Sequence, residues 1–142
     1  MENLGLEEIG IQIESGRIVV NTYMETNVPN IYAVGDATGG ILLAHVASTE
    51  GIVAAANAMG GHKEMDYAVV PSCIYTSPEL ASVGITEAQA KEQGIQVVVG
   101  KSQFTGSGKA LAMGENKGLI KVIADVDNGT ILGVNILGPH RN

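Results

Sequence analysis

The first part of the chain alternates between apolar and polar positions until a turn breaks the alternation. Isoleucines at positions 9, 11 and 13 occupy every second site, which is the repeat of a β-strand. Ser15 and Gly16 are typical of a tight turn, and Ile18–Val20 is a second apolar run. The pattern predicts a β-hairpin within Met1–Asn21.

Residues 41–59 have the spacing of a helix with a broad apolar face. That face is made by Leu42, Val46, Val53 and the alanines at 47, 54, 56 and 58. Gly51 lies inside the segment at a cost of about 1 kcal/mol relative to alanine, so we expect another element to pack close to it. Gly60 and Gly61 predict the end of the helix.

Between the hairpin and the helix lies an apolar run, Ile31–Val34, which ends abruptly in Gly35-Asp36. Its length is typical of a strand buried on both faces of a sheet. Asp36 would then stand at the carboxyl end of the strand, where open α/β sheets bind ligands. A carboxylate there can accept hydrogen bonds from ribose or ribitol hydroxyls. These six residues alone favour a plainer interpretation, in which Ile31–Val34 is a core strand and Asp36 caps the next turn.

The second half changes to strands and turns, and residues 62–70 mark the boundary. Apolar runs predict strands at 71–76, continued after a kink at 80–85, and at 95–100, 119–126 and 130–137. Asn128-Gly129 between the last two runs is the strongest hairpin signal in the chain. Thr86 and Gln89 have the spacing of a capping box, which predicts a short helix ending at Gly94, and residues 103–113 look less regular.

Composition and charge limit the possible partners. The chain has 142 residues, of which 45% are hydrophobic, so it can bury a core. Its net charge of −7 opposes binding to nucleic acid or to an anionic membrane surface. No apolar segment approaches the roughly 20 residues of a membrane span. We therefore expect neither nucleic acid nor a membrane as a partner.

Cysteine and histidine carry little chemistry in this sequence. Cys73 is the single cysteine, so the chain has no disulfide and no redox-active cysteine pair, and a cytoplasmic location is expected. We interpret Cys73 as a small buried thiol because no base or cation accompanies it. His45, His62 and His140 lack metal-ligand spacing, so no metal site is expected. His62 and His140 are interpreted as surface residues.

Several stretches resemble the pyridine nucleotide–disulfide oxidoreductases. Residues 26–36, which end in Gly35-Asp36, are similar to the second flavin-binding motif of that family. The similarity to its interface domain is carried by residues 75–79, 83–84 and 133–140. Leu42-Leu43-Ala44-His45 with Glu50-Gly51 is closest to the members that oxidise dihydrolipoamide.

The resemblance implies an α+β fold. Residues 1–65 would form the end of a Rossmann-like FAD-binding domain, and residues 66–142 a largely antiparallel α+β interface domain that forms a homodimer and is incomplete at its C-terminus. It further implies that Asp36 bonds the ribitol chain of FAD. The positions implied to line the flavin ring through backbone groups are Leu42, Leu43, Ala44 and His45. NAD would bind outside this chain.

The resemblance covers nearly the whole chain but only the middle-to-late part of such an enzyme, so we expect a fragment. Three parts of the family's machinery are missing from the sequence: an adenine-binding GxGxxG, the redox cysteine pair and a C-terminal His–Glu pair. We expect the chain alone to be inactive and colourless, and to self-associate through apolar strand edges. The whole enzyme would serve a 2-oxo acid dehydrogenase or glycine cleavage complex. A fragment of glutathione or mercuric reductase and a cofactor-free dimerisation module remain alternatives.

Overall fold

A computed structural model describes residues 4–139, so the interpretation of His140 lies outside the described residues. The chain divides into two compact units, Met1–Tyr67 and Ala68–Asn142, which we call unit 1 and unit 2. Both combine short helices with antiparallel strands, and the larger sheet is entirely antiparallel. The expected α+β fold is therefore confirmed.

Unit 1 opens with the predicted hairpin, although the hairpin is much shorter than expected. β1 (Ile13–Glu14) pairs antiparallel with β2 (Arg17–Ile18). Ser15 and Gly16 connect them with φ values of 50° and 77°, which is the backbone that a two-residue turn between twisted strands requires. The preceding residues form turns instead of continuing β1, as shown by the bond from the Ile11 N–H to the Leu6 carbonyl (2.9 Å).

The prediction of a buried strand at Ile31–Val34 is wrong. Only Tyr32 makes a β-bridge, to Glu25, and Val34 is 37% exposed. The run satisfies its backbone through single bonds, such as the one from the Thr26 N–H to the Ile31 carbonyl (2.8 Å). An apolar run becomes a sheet strand only where neighbouring strands are present, and the described part of unit 1 offers it no such ladder. Because Ile31–Val34 is not a strand, it has no strand edge through which the chain could self-associate.

The predicted helix is present as α1 (Ala44–Ala58). Gly60, with φ of 87°, and Gly61 return hydrogen bonds to the last helical turn and end it as predicted. The buried face of α1 is more polar than the sequence suggests, and it consists of Val46, Glu50, Val53, Ala54 and Asn57. The close neighbour expected at Gly51 is not found, since a Cβ there would meet no described atom within 4 Å.

Unit 2 is built on a five-stranded antiparallel sheet with the order β3-β4-β7-β6-β5. Its strands are β3 (Ser72–Ile74), β4 (Glu79–Gly84), β5 (Val97–Gln103), β6 (Leu119–Asp125) and β7 (Ile131–Gly138). The predicted Asn128-Gly129 hairpin is confirmed and joins β6 to β7. The expected kinked strand is wrong, because β3 folds back on β4 and pairs Ser72 with Ser82.

Two short helices accompany this sheet. The capping box is present at the start of α2 (Glu87–Glu92): the Gln89 N–H donates to Thr86 Oγ1 (3.2 Å), and the Thr86 N–H donates to Gln89 Oε1 (2.8 Å). The segment expected to be irregular contains α3 (Gly108–Ala112), whose N-cap is Ser107. None of the helices in residues 4–139 is long and apolar enough to cross a membrane.

The two faces of the sheet in unit 2 differ in burial. On one face Ile123 is fully buried (0% exposed), and the neighbouring Lys121 forms an ion pair with Glu87 of α2 at 3.0 Å. The opposite face carries half-buried apolar side chains around a cavity of about 210 Å³. These side chains include Cys73, Ala81, Val83, Val134 and Ile136. The thiol expected to be buried is therefore only half-buried, at the rim of an apolar surface.

Candidate functional site

Asp36 lies in a single 3₁₀ turn, Gly35–Ala37, which we call the Asp36 turn. The turn is closed by bonds from the Thr38 N–H to the Gly35 carbonyl (3.0 Å) and from the Gly39 N–H to the Asp36 carbonyl (3.2 Å). The Asp36 side chain is exposed and accepts no hydrogen bond from the residues that the structure describes. It therefore caps neither this turn nor α1, and its carboxylate is open to a ligand.

Gly35 places the Asp36 turn against the first turn of α1. Its φ is 71°, a conformation that favours glycine, and a Cβ at this position would lie 3.2 Å from the Cβ of Ala47. Both constraints require glycine where the sequence has it. The structure thus brings Asp36 close to the start of the helix, as the sequence predicted, although no sheet strand leads into the turn.

The other candidate residues surround the beginning of α1. Leu43 is the N-cap residue, with φ of −131° and ψ of 136°, and its side chain makes no capping hydrogen bond. Leu42 is 60% exposed, Ala44 and His45 are exposed, and Leu43 is half-buried. The first N–H groups of a helix have no intrahelical acceptor and carry a partial positive charge. This end of α1 can therefore receive a carbonyl-rich or anionic group through its backbone.

A buried carboxylate behind the Asp36 turn was missed by the sequence analysis. Glu50 of α1 is 2% exposed; its Oε2 accepts the Gly35 N–H (2.6 Å), and its Oε1 accepts the Tyr67 hydroxyl (2.7 Å). The signal was present, because Glu50 follows Val46 by four residues and precedes Val53 by three. An acidic residue in that apolar stripe has to find donors inside the fold.

The Tyr67 hydroxyl stays protonated far above neutral pH. Partial burial first, then its hydrogen bond to Glu50 and the negative charge of that residue, raise the pKa of Tyr67 from 10.0 to about 12. Tyr67 therefore acts as a permanent donor to Glu50 under physiological conditions. It also approaches the sulfur of the buried Met24, with 3.9 Å between the hydroxyl oxygen and Sδ.

Asn57 plays a corresponding role at the other end of α1. Its Nδ2 donates to the Tyr23 carbonyl (2.9 Å) and to the Lys63 carbonyl (2.8 Å), and its Oδ1 accepts the Lys63 N–H (2.7 Å). The side chain is 8% exposed. It fixes the chain that leaves α1, and the sequence analysis did not identify it.

The glycine-rich turn after Asp36 borders a cavity of about 430 Å³. Arg17 lines this cavity together with Thr38, Gly39 and Gly40. The Arg17 side chain lies so close to Gly39 that a Cβ there would overlap its Cδ, and Gly39 has φ of 77°. The cavity contains neither Asp36 nor the start of α1 in its lining, so it is separate from the candidate residues.

The described residues hold no group of three or more His, Cys, Asp and Glu side chains that could bind a metal ion. The candidate site consists of the open carboxylate of Asp36, the start of α1 with its apolar N-cap residue Leu43, and the exposed side chain of Leu42. That combination suits a ligand that carries hydroxyl groups together with carbonyl or anionic groups.

Comparisons with known proteins support a single family. Residues 70–142 match the family model described as the dimerisation domain of pyridine nucleotide-disulphide oxidoreductases, and residues 1–51 match the model described as pyridine nucleotide-disulphide oxidoreductase. The match over residues 1–51 includes Asp36, Leu42, Leu43, Ala44 and His45.

Relatives and solved structures agree with these matches. The chain is 51% identical over 142 residues to a dihydrolipoyl dehydrogenase of Chlamydia muridarum and 49% identical over 141 residues to one of Bacillus subtilis. In both cases 99% of the chain matches 30% of the relative. A Cu(II) complex of RclA, an HOCl-induced flavoprotein disulfide reductase from Escherichia coli, aligns with TM-score 0.85 and 29% identity, covering 96% of this chain and 32% of that one.

The chain therefore spans about 30% of the length of the curated relatives it matches. Since one family model alone covers residues 70–142, more than half of the sequence, the chain belongs to the pyridine nucleotide-disulphide oxidoreductase family.

Proposed function

We propose that this chain is part of an FAD- and NAD-dependent dihydrolipoamide dehydrogenase, which oxidises dihydrolipoamide to lipoamide and reduces NAD to NADH. The relatives at 51% and 49% identity carry the name dihydrolipoyl dehydrogenase, and RclA is a flavoprotein. The observation that carries the proposal is the open carboxylate of Asp36 close to the start of α1. When bound, the flavin would carry electrons between dithiol and nicotinamide.

The residues of this chain would bind and orient the flavin. We assign to the Asp36 carboxylate the acceptance of hydrogen bonds from ribitol hydroxyls, because it is exposed and makes no bond to the described residues. We assign to Leu42, Leu43, Ala44 and His45 contact with the ring through their backbone. We also propose that residues 1–65 form the end of the FAD-binding domain and residues 66–142 the interface domain, with NAD binding outside this chain.

A chimera tests the assignment of Asp36. The matched segment of the Bacillus subtilis relative is replaced by this chain, and the FAD content and FAD dissociation constant of the purified product are measured. Asp36→Asn should weaken FAD binding by about tenfold or more, as expected when an anionic acceptor is lost. Asp127→Asn, an exposed carboxylate in the β6–β7 turn, is the matched control and should leave FAD binding unchanged. Equal affinity of both variants would refute the assignment.

The 142-residue chain alone should have no dehydrogenase activity. The reaction removes two electrons and two protons from a dithiol, and this sequence supplies only Cys73, not a cysteine pair. We also expect the purified chain to be colourless. Lipoamide-dependent reduction of NAD by the chain alone would contradict the first expectation, and a flavin absorption band would contradict the second. Reduction of glutathione disulfide or of mercuric ion by the whole protein, in place of the oxidation of dihydrolipoamide, would favour one of the sister enzymes.

A second candidate function, association without a cofactor, is favoured by the sheet of unit 2. Residues 70–142 match a dimerisation domain, and one face of the sheet carries half-buried apolar side chains around its 210 Å³ cavity. We propose that residues 66–142 form a homodimer. Sedimentation of the chain at high concentration should show a dimer or a larger assembly, and a compact monomer would contradict this.

The cellular setting follows from the same proposal. The single cysteine suits a reducing compartment, so we place the protein in the cytoplasm, serving a 2-oxo acid dehydrogenase or glycine cleavage complex. Co-purification of the protein with such a complex from a cytoplasmic fraction is the supporting result, and its recovery from an oxidising compartment would contradict it.

A further inference from the structure

We propose that Glu50 is a positioning residue for the Asp36 turn and that the Tyr67 hydroxyl holds the Glu50 carboxylate in place for this task. The inference rests on the proposed flavin-binding function of Asp36 and extends it to two residues whose side chains make no hydrogen bond to the Asp36 carboxylate. It predicts that the orientation of the Asp36 turn depends on a bond network inside unit 1.

The geometry around Glu50 uses both carboxylate oxygens. Oε2 accepts the Gly35 N–H at 2.6 Å and Oε1 accepts the Tyr67 hydroxyl at 2.7 Å. Both distances are in the short range of hydrogen bonds to ionised groups. Because Glu50 is 2% exposed, water does not replace either donor easily, and an unpaired carboxylate would be costly there.

The bond to Gly35 fixes the peptide group that starts the Asp36 turn. The Gly35 carbonyl is held by the Thr38 N–H (3.0 Å) and by Thr38 Oγ1 (2.9 Å), both within the same loop. Glu50 holds the other side of Gly35 and connects it to α1. Gly35 has φ of 71°, but glycine also adopts other backbone conformations at little cost. The hydrogen bond from the Gly35 N–H to Glu50 therefore favours the observed conformation over the others.

Tyr67 determines where the carboxylate can sit. Its hydroxyl donates to Oε1, which leaves Oε2 directed at the Gly35 N–H. Met65 anchors the same segment, since its N–H donates to the Thr22 carbonyl (2.8 Å) and its side chain is 7% exposed. The network therefore runs from residues 65–67 through Glu50 to the residue that directly precedes Asp36.

The chain supplies a matched control pair on its surface. The Tyr23 hydroxyl donates to Glu64 Oε1 at 2.7 Å, the same distance as in the Tyr67–Glu50 pair. That pair is exposed and makes no bond to the Asp36 turn. Substitutions of Tyr23 and Glu64 therefore remove the same kind of hydrogen bond without changing any bond to the Asp36 turn.

The experiment measures amide hydrogen exchange by NMR in the 142-residue chain. Glu50→Gln removes the charge and leaves one acceptor oxygen for two donors, so the Gly35 amide should exchange about tenfold faster or more. Tyr67→Phe removes the hydroxyl that holds the Glu50 carboxylate, so exchange of the Gly35 amide should be about threefold faster. Glu64→Gln and Tyr23→Phe should leave Gly35 unchanged. The Val53 amide inside α1 reports any general loss of stability.

The outcomes separate this inference from the proposed function. Unchanged Gly35 exchange in both Glu50→Gln and Tyr67→Phe would overturn the inference, whatever the chimera shows. If Glu50→Gln also accelerates exchange of the Val53 amide, that variant has lost general stability. The Gly35 exchange rate in Tyr67→Phe then decides whether the positioning role holds. In the chimera Glu50→Gln should weaken FAD binding by about tenfold, whereas Asp36→Asn should weaken it with Gly35 exchange unchanged. Suppose that Asp36→Asn leaves the affinity for FAD unchanged while Glu50→Gln accelerates exchange of the Gly35 amide. That combination would refute the flavin-binding role of Asp36 and support the positioning role of Glu50.

Discussion

The two units of this chain reach a folded state by different means. In unit 2 the backbone is paired along an antiparallel ladder, and its buried hydrophobic side chains are Ala90, Phe104, Ala110 and Ile123. In unit 1 the paired strands are two residues long, and single polar side chains fix the loops around a buried hydrophobic core. That core consists of Ile11, Ile18, Met24, Val46, Val53, Ala54 and Met65. The buried polar residues found among positions 4–139, namely Thr26, Glu50 and Asn57, all lie in unit 1.

Backbone conformation shows the same contrast. The described residues other than glycine that have positive φ are Ser15, Met24 and Asn30, and all three belong to unit 1. Such conformations cost free energy and persist only where the surroundings hold them. In unit 1 the buried side chains of Glu50 and Asn57 fix the loops around α1, whereas in unit 2 the backbone ladder fixes the strands. We therefore expect substitutions of single buried polar side chains to have their largest effect in unit 1, and changes in strand packing to have theirs in unit 2.

The largest predicted loss of stability comes from a substitution in the antiparallel sheet of unit 2. Gly133→Ala should lower the free energy of unfolding by about 3 kcal/mol, because the new Cβ would overlap the Ile85 carbonyl oxygen, which is backbone and cannot move aside. Urea denaturation followed through the signals of unit 2 measures this. Gly100→Ala in β5 is the control, since a Cβ there meets nothing within 4 Å, and it should be neutral or stabilising. Equal effects of the two substitutions would contradict the packing described.

The next effect removes a polar anchor from unit 1. Asn57→Ala should destabilise unit 1 by about 2 kcal/mol, since it leaves two carbonyls and one N–H near the end of α1 without their partner. Asn135→Ala in β7 provides the comparison, because its side chain makes no hydrogen bond within residues 4–139. If both variants unfolded at the same urea concentration, polar side chains would not be what stabilises unit 1.

A pH titration sharpens the contrast further. Because the folded-state pKa of Tyr67 is raised from 10.0 to about 12, its contribution to stability is complete below pH 10 and is lost as the pH rises towards 12. The stability of unit 1 should therefore fall across that window, by less than the loss caused by Asn57→Ala. Tyr67→Phe should flatten the decline, and Tyr75→Phe in unit 2, where the ring is 72% exposed, should not. If the stability of unit 1 fell with pH as steeply in Tyr67→Phe as in the unsubstituted chain, ionisation of Tyr67 would not be the cause of the decline.

The smallest effect concerns a helix end in unit 2. Thr86→Ala should cost about 1 kcal/mol, because α2 loses the side-chain half of its capping box. Thr86→Ser retains the hydroxyl and should restore most of that stability. Thermal unfolding of the two variants measures the difference, and identical midpoints would show that the cap contributes nothing.

Local sequence signals predicted the elements whose partners are close in the chain. Asn128-Gly129, the Thr86–Gln89 capping box and the Gly60-Gly61 helix end are all observed, since each depends on residues only a few positions apart. The prediction failed for Ile31–Val34, because an apolar run becomes a strand only beside a neighbouring strand, and no local pattern reports that neighbour. Likewise, β3 and β4 form a hairpin where the pattern suggested one bent strand.

The candidate site shows the same limit. The resemblance to the family selected Asp36 and the start of α1 as candidates, because the residues that carry it, 26–36 and 42–45, are continuous stretches of sequence. It did not identify Glu50 and Tyr67, which are 17 residues apart and meet only through folding. Glu50 in the apolar stripe of α1 was the available signal, since an ionised group that is buried requires partners.

The structure of the chimera with FAD bound is the most direct test of the central claim that the Asp36 turn holds a flavin. The account predicts that the Asp36 carboxylate lies within hydrogen-bond distance, about 2.7 Å, of a ribitol hydroxyl, with the start of α1 facing the ring. A bound flavin whose ribitol chain lies out of reach of Asp36 would contradict it.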